Sequence, residues 1–217
     1  MVIDEEPDIM SSIKKLICVI AAFTVFMSLS SCEMPMKIVG NIPDPKNTVI
    51  DFFDSVCAGD FASSDKYLSG VSLSMKKQVE GEFAGKLYDY LISSYDYKLN
   101  GEVTSDLLDA SCKVDFTYLD LNLMSEDLKT TATKLGKKYV TEAKEGYVEE
   151  GKDGSFSLSD EGAEKVAAEA LDRIMTESQK YYTTKTFDLK LKYNEGKWLI
   201  DLSDELFFAI CGGFDIA

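Results

Sequence analysis

"FDLKLKYNEGKWLIDL", residues 187–202, alternates apolar and polar side chains with a period of two. Phe187, Leu189, Leu191 and Tyr193 fall on one side; Asp188, Lys190 and Lys192 fall on the other. Only an extended backbone sorts side chains in this way, because successive Cβ atoms point to opposite faces. Asn194-Glu195-Gly196 is a tight-turn signal in which Gly196 takes a positive φ without a Cβ clash. "KWLIDL" then returns with Trp198, Ile200 and Leu202 on one side. The stretch therefore reads as an antiparallel hairpin with one apolar and one wet face.

The same device recurs upstream. Ala110, Cys112, Val114, Phe116 and Tyr118 share a face, with Ser111, Lys113, Asp115 and Thr117 opposite. Tyr95, Tyr97, Leu99, Gly101 and Val103 alternate as a further strand. About four antiparallel strands with one apolar face need a covering layer. Three helices precede them. Asp44 and Pro45 read as an N-cap and first helical position, Val49, Phe52, Phe53 and Val56 form one face, and Gly59 closes the helix. A short helix lies between Asp60 and Gly70. A third runs from about Ser72 to Ser93, with Val79, Phe83, Leu87 and Leu91 in four-residue steps and Gly81 and Gly85 leaving room for close packing. Residues 122–182 read as a helical insertion of two helices, capped near Ser125 and Ser159. Ser203 caps a last short helix that stops at Gly212-Gly213. The fold class is α+β.

Order begins after an unusual N-terminus. "LICVIAAFTVFMSL", residues 16–29, is a 14-residue apolar run preceded by Lys14 and Lys15. That is too short for the roughly 20 residues of a membrane-spanning helix. It has the layout of a secretory signal. It ends in Leu29-Ser30-Ser31-Cys32, which resembles a bacterial lipobox, so residues 1–31 are expected to be a signal peptide and Cys32 to carry diacylglycerol. Two acyl chains give stable anchoring. The acidic opening "MVIDEEPDI" does not suit a signal, and translation from Met10 would make a conventional one. Residues 32–44 are then a lipidated cysteine and its tether, and residues 45–217 the folded domain.

The opening helix with "DFFDSVCAGDFASSDKYLSG", and the ending "LKYNEGKWLIDLSDELFFAICGGF", resemble those of small, mainly Gram-positive lipoproteins with an NTF2-like (cystatin-like) domain. The resemblance covers most of residues 44–217, although the insertion exceeds the minimal pattern of that fold. It implies a cone in which a curved antiparallel sheet wraps over N-terminal helices, often with an apolar pocket between them. Some members of the wider superfamily are isomerases, hydratases or cyclases, while others only bind or dimerise.

Composition narrows the chemistry. The net charge is −15, and residues 1–31 carry four acidic and two basic side chains, so the rest of the chain keeps −13. That acidity argues against nucleic acid as a partner. The absence of histidine removes Ser-His-Asp and Cys-His systems and the usual zinc sites. No cofactor is expected. Cys57, Cys112 and Cys211 sit among apolar neighbours as small core residues. Phe52, Phe53, Tyr67, Phe116, Tyr118 and Trp198 are the candidates for lining a pocket that takes a small apolar ligand. Tyr67, Tyr97, Asp115 and Asp188 are the groups that acid–base catalysis would draw on, but none lies in a catalytic motif, and Asp115 and Asp188 should face water. Residues 149–160, "EEGKDGSFSLSD", partly follow a calcium-loop pattern, but Glu149, Gly151 and Asp160 stand where better ligands belong. The functional expectation is a non-enzymatic, membrane-anchored binding module whose ligand is a small apolar molecule or an extracellular protein. The alternatives are an Asp/Tyr enzyme and an interaction module using the insertion helices. Cells grown with labelled palmitate should label the wild type; a Cys32→Ala protein that still partitions with the membrane would refute the anchor.

Overall fold

The computed structural model describes residues 42–73, 81–152 and 154–213. Cys32, the signal segment and most of the tether lie outside them, as does Val79.

The domain is α+β. Its elements are α1 (Pro45–Cys57), α2 (Phe61–Ser64) with a 3-10 turn at Asp65–Tyr67, α3 (Glu82–Ser94), β1 (Asp96–Leu99), β2 (Thr104–Asp106) and β3 (Asp109–Leu119). The insertion follows: α4 (Leu121–Thr141), β4 (Val148–Glu150), β5 (Phe156–Leu158), α5 (Asp160–Met175) and a 3-10 turn at Ser178–Tyr181. Then come β6 (Tyr182–Asn194), β7 (Lys197–Asp201) and α6 (Asp204–Ile210). The main sheet is antiparallel, in the order β1-β3-β6-β7 with β2 also on β3. This order of helices, strands, insertion and hairpin is consistent with the NTF2-like architecture.

β3 and β6 pair over their whole shared length, from Asp109↔Lys192 to Leu119↔Tyr182. The alternation places Ala110, Cys112, Val114, Phe116 and Tyr118 inside with Phe187, Leu189 and Leu191. The β6–β7 turn has positive φ at both Glu195 and Gly196, which matches the twist of the hairpin. Asp44 caps α1 by accepting the Lys46 N–H at 2.9 Å.

Four boundaries differ from the sequence reading. The third helix starts at Glu82, not Ser72, because Gly81 adopts φ +100° at its N-cap and residues 71–73 are irregular. The first strand is two: Gly101 at φ +95° breaks it, and β1 and β2 pair with separate halves of β3. The sheet thus has five strands rather than four. α4 begins at Leu121 because Asp120 is the cap, accepting the Asn122 N–H at 3.0 Å; Ser125 instead donates to the Asn122 carbonyl. Finally, α4 stops at Thr141, and the segment resembling a calcium loop forms a hairpin. Glu149 pairs with Ser157 across it, so its side chains alternate between faces instead of converging.

Three non-glycine residues among those described take the left-handed region: Leu107, Ala143 and Glu195. Leu107, between β2 and β3, has φ +49° and is 76% exposed. The left-handed region costs a residue with a Cβ about 1–2 kcal/mol.

Gly162, in the first turn of α5, has another constraint: a Cβ there would lie 2.0 Å from the Tyr147 carbonyl oxygen. Gly162→Ala gains about 1 kcal/mol in helix propensity but meets backbone, and such overpacking costs about 1–3 kcal/mol. The clash should win, and thermal unfolding should shift to lower temperature; an unchanged or higher midpoint would contradict this packing.

Candidate functional site

The inward-facing rings pack on one another. Phe53 lies 5.0 Å from Phe52, 5.0 Å from Tyr97 and 5.7 Å from Phe116 between ring centroids. Phe116 continues to Tyr95 at 5.3 Å and Tyr118 at 6.1 Å. Trp198 is buried, packs on Tyr193 and donates its indole N–H to the Pro43 carbonyl at 2.7 Å. Of the six pocket candidates, Phe52, Phe53, Phe116, Tyr118 and Trp198 are buried in the core, and Tyr67 is half-buried at its edge. They fill the interior that they were expected to line. The reason is volume: α1 brings two phenylalanines onto a sheet face that already carries large side chains.

The concave surface lies elsewhere. β6 is much longer than β7, which pairs with it only from Lys190 to Asn194. Beyond that point α6 runs beside the N-terminal half of β6. Between them lies a cleft of about 470 Å³, lined by Tyr118, Lys185, Thr186, Phe187, Glu205 and Phe208, among others. Ser203 starts α6 by accepting the Leu206 N–H at 3.3 Å. After α6, Gly212 (φ +81°) and Gly213 (φ +75°) bend the chain back onto α4. The Leu121 N–H donates to the Gly212 carbonyl at 2.9 Å, and the Asn122 amide donates to the Gly213 carbonyl at 2.6 Å. A Cβ on Gly213 would sit 3.2 Å from the Tyr118 ring, so glycine keeps this wall of the cleft low. The floor is aromatic, and the exposed rim carries one cation, Lys185, and one carboxylate, Glu205. Of the six candidates, only Tyr118 reaches this cleft. Lys185, Glu205 and Phe208 went unmarked in the sequence; the signal was the mismatch between the 13-residue β6 and the 5-residue β7.

The acid–base candidates do not converge. Asp115 and Asp188 stand on the wet face as expected. The Thr186 hydroxyl at 2.6 Å and the Asn100 amide at 3.0 Å hold the Asp115 carboxyl below its ordinary range, and Asp188 faces Lys113 at 3.5 Å. Tyr97, at the other face, donates to Asp54 at 2.6 Å, and burial followed by that bond pushes its phenol up. Burial and Asp51 raise Tyr67. Each of these shifts favours the resting protonation state over proton transfer near neutrality. Among the described residues the buried polar side chains other than aromatic rings and thiols are Ser64 and Ser94. Ser94 donates to the Leu91 carbonyl at 2.6 Å and accepts the Leu119 N–H at 2.8 Å, a packing role.

No family model, curated protein or solved structure matches the chain. Among the described residues, no helix is long and apolar enough to cross a membrane.

The three thiols of the domain are free. Burial, then the carboxylates of Asp96 and Asp54, pushes Cys57 up to about 11; burial alone takes Cys112 to about 11 and Cys211 to about 12. Thiolate is the reactive form, so these groups should be inert at neutral pH. With Cys18 and Cys32 replaced by serine, Ellman's reagent should modify Cys57 slowly and the other two only in denaturant. Rapid modification of all three in the native state would refute the burial.

Proposed function

We propose that the chain is an extracytoplasmic module held to the membrane by diacylglycerol on Cys32, and that it binds rather than catalyses. The observation that supports this reading is the filled interior: Phe52, Phe53, Phe116 and Trp198 occupy the space in which an internal ligand or substrate would have to lie. Binding then falls to the outer surface, and the cleft between β6 and α6, about half apolar and half polar in its lining, is the concave surface at hand. Its aromatic floor suits an apolar group, and Lys185 at its rim suits an anionic end. The ligand class is a small amphiphile, or an apolar segment of an extracellular protein presenting the same chemistry.

Titration with decanoate, followed by amide chemical shifts, tests this. Saturable shifts should appear at Lys185, Phe187 and Phe208. The Trp198 indole N–H, which reports on the interior, should stay fixed. Lys185→Glu should weaken binding about two- to fivefold, as a partly solvated charge contact does. Shifts centred on the Trp198 indole and Phe53 would mean that the interior opens, and the reading would fall.

A further inference from the structure

Leu107 bears two unfavourable features at once. It holds a left-handed backbone that glycine or asparagine adopts more readily, and it is the most exposed of the large apolar side chains described. The neighbouring turn at the same end of the sheet holds the same φ of +49° with the polar Glu195, so what sets Leu107 apart is an exposed apolar side chain on that backbone. A leucine at a turn apex where a polar residue holds the same backbone next door is the feature that a contact outside the domain would account for.

The position of this turn indicates which contact. Asp106↔Asp109 closes it, and the Leu108 carbonyl accepts the Tyr193 N–H at 2.8 Å. The Tyr193 ring packs on Trp198 at 5.3 Å, and Trp198 holds the Pro43 carbonyl. These contacts form a row across one end of the sheet, so the chain enters the domain at the end that carries Leu107. Ten residues separate Cys32 from Pro43, and even fully extended this connection spans at most about 40 Å. An acyl group on Cys32 would therefore keep this end, and Leu107 with it, close to the bilayer at high effective concentration.

We infer that the turn at residues 106–109 is a membrane-contact tip: Leu107 enters the lipid interface and seats the anchored domain end-on. The inference rests on the reading that Cys32 is acylated. The partner is a lipid surface gripped through apolar contact. Asp106, Asp109 and Glu195 are exposed around the tip beside Lys190, Lys192 and Lys197, so the tip itself is near neutral, while the chain after residue 31 carries −13. That overall acidity disfavours anionic headgroups, so the contact should be stronger on phosphatidylcholine than on membranes enriched in phosphatidylglycerol.

The test uses the full chain, purified from membranes and reconstituted into phosphatidylcholine vesicles, with acylation read by intact mass. A fluorophore at Asn194→Cys, beside the tip, is compared with one at Thr130→Cys on α4, using lipids with nitroxide headgroups as quenchers. Quenching should be several-fold stronger at 194 than at 130. It should fall to the level of 130 in Leu107→Asn, whose backbone tolerates the same φ and whose thermal midpoint should not drop. It should also weaken when phosphatidylglycerol is added. An acylated protein with equal quenching at both sites, or with quenching indifferent to Leu107→Asn, overturns the inference and leaves the anchor standing. A chain without acyl mass on Cys32 removes the anchor and the inference together.

Discussion

The ladder between β3 and β6 is the constraint on which the other elements depend. It runs unbroken from Asp109↔Lys192 to Leu119↔Tyr182 and turns one apolar face inward along its length. Residues 120–181 leave from one end of it and return to that same end. The Asp120 N–H donates to the Tyr181 carbonyl at 2.8 Å, which closes the excursion at its base. Because closure entropy grows only slowly with length, an insertion whose ends are already neighbours is tolerated well. The insertion still has to bury its own apolar face, and it does so with Val166, Ala168, Ala170 and Leu171, all fully buried.

The insertion also completes another part of the domain. α3 has no cap from its own sequence, since Gly81 stands at that position. Glu164 of α5 supplies one by accepting the Phe83 N–H at 2.9 Å. A Cβ on Gly81 would lie 2.4 Å from that carboxylate, so glycine makes room for the long-range cap. Around it, Glu82 pairs with Lys165 at 3.0 Å and with Lys86 at 3.1 Å, and Lys86 and Tyr90 both reach Asp172. These pairs are solvated and each contributes little. The apolar seam beneath them supplies most of the attachment, and the charges select its alignment.

Sequence patterning reached the sheet, its faces and most helices because those signals are local. Asp44-Pro45 and Ser159 cap where they were expected to, and the period-two stretches at 110–118 and 187–202 form strands, while the one at 95–103 breaks at Gly101. Other features depended on partners distant in the chain. Ser125 looked like a cap, but Asp120 already held the helix start. Glu149 and Asp160 looked like part of a ligand set, but the intervening glycines let the segment pair as a hairpin. Whether Phe52 and Trp198 line a space or occupy it depends on volumes contributed by several elements, which no stretch of sequence contains.

The sequence by itself determined the α+β class, the wet and dry faces of the sheet, the acidic surface and the absence of histidine chemistry, since each follows from residue type and short-range period. Only the tertiary structure decided that the interior is closed, that the cleft opens where β6 outruns β7, and that Leu107 shares an end of the sheet with the point of chain entry. Those facts are matters of distance between residues far apart along the chain, and distance is set by packing rather than by spacing.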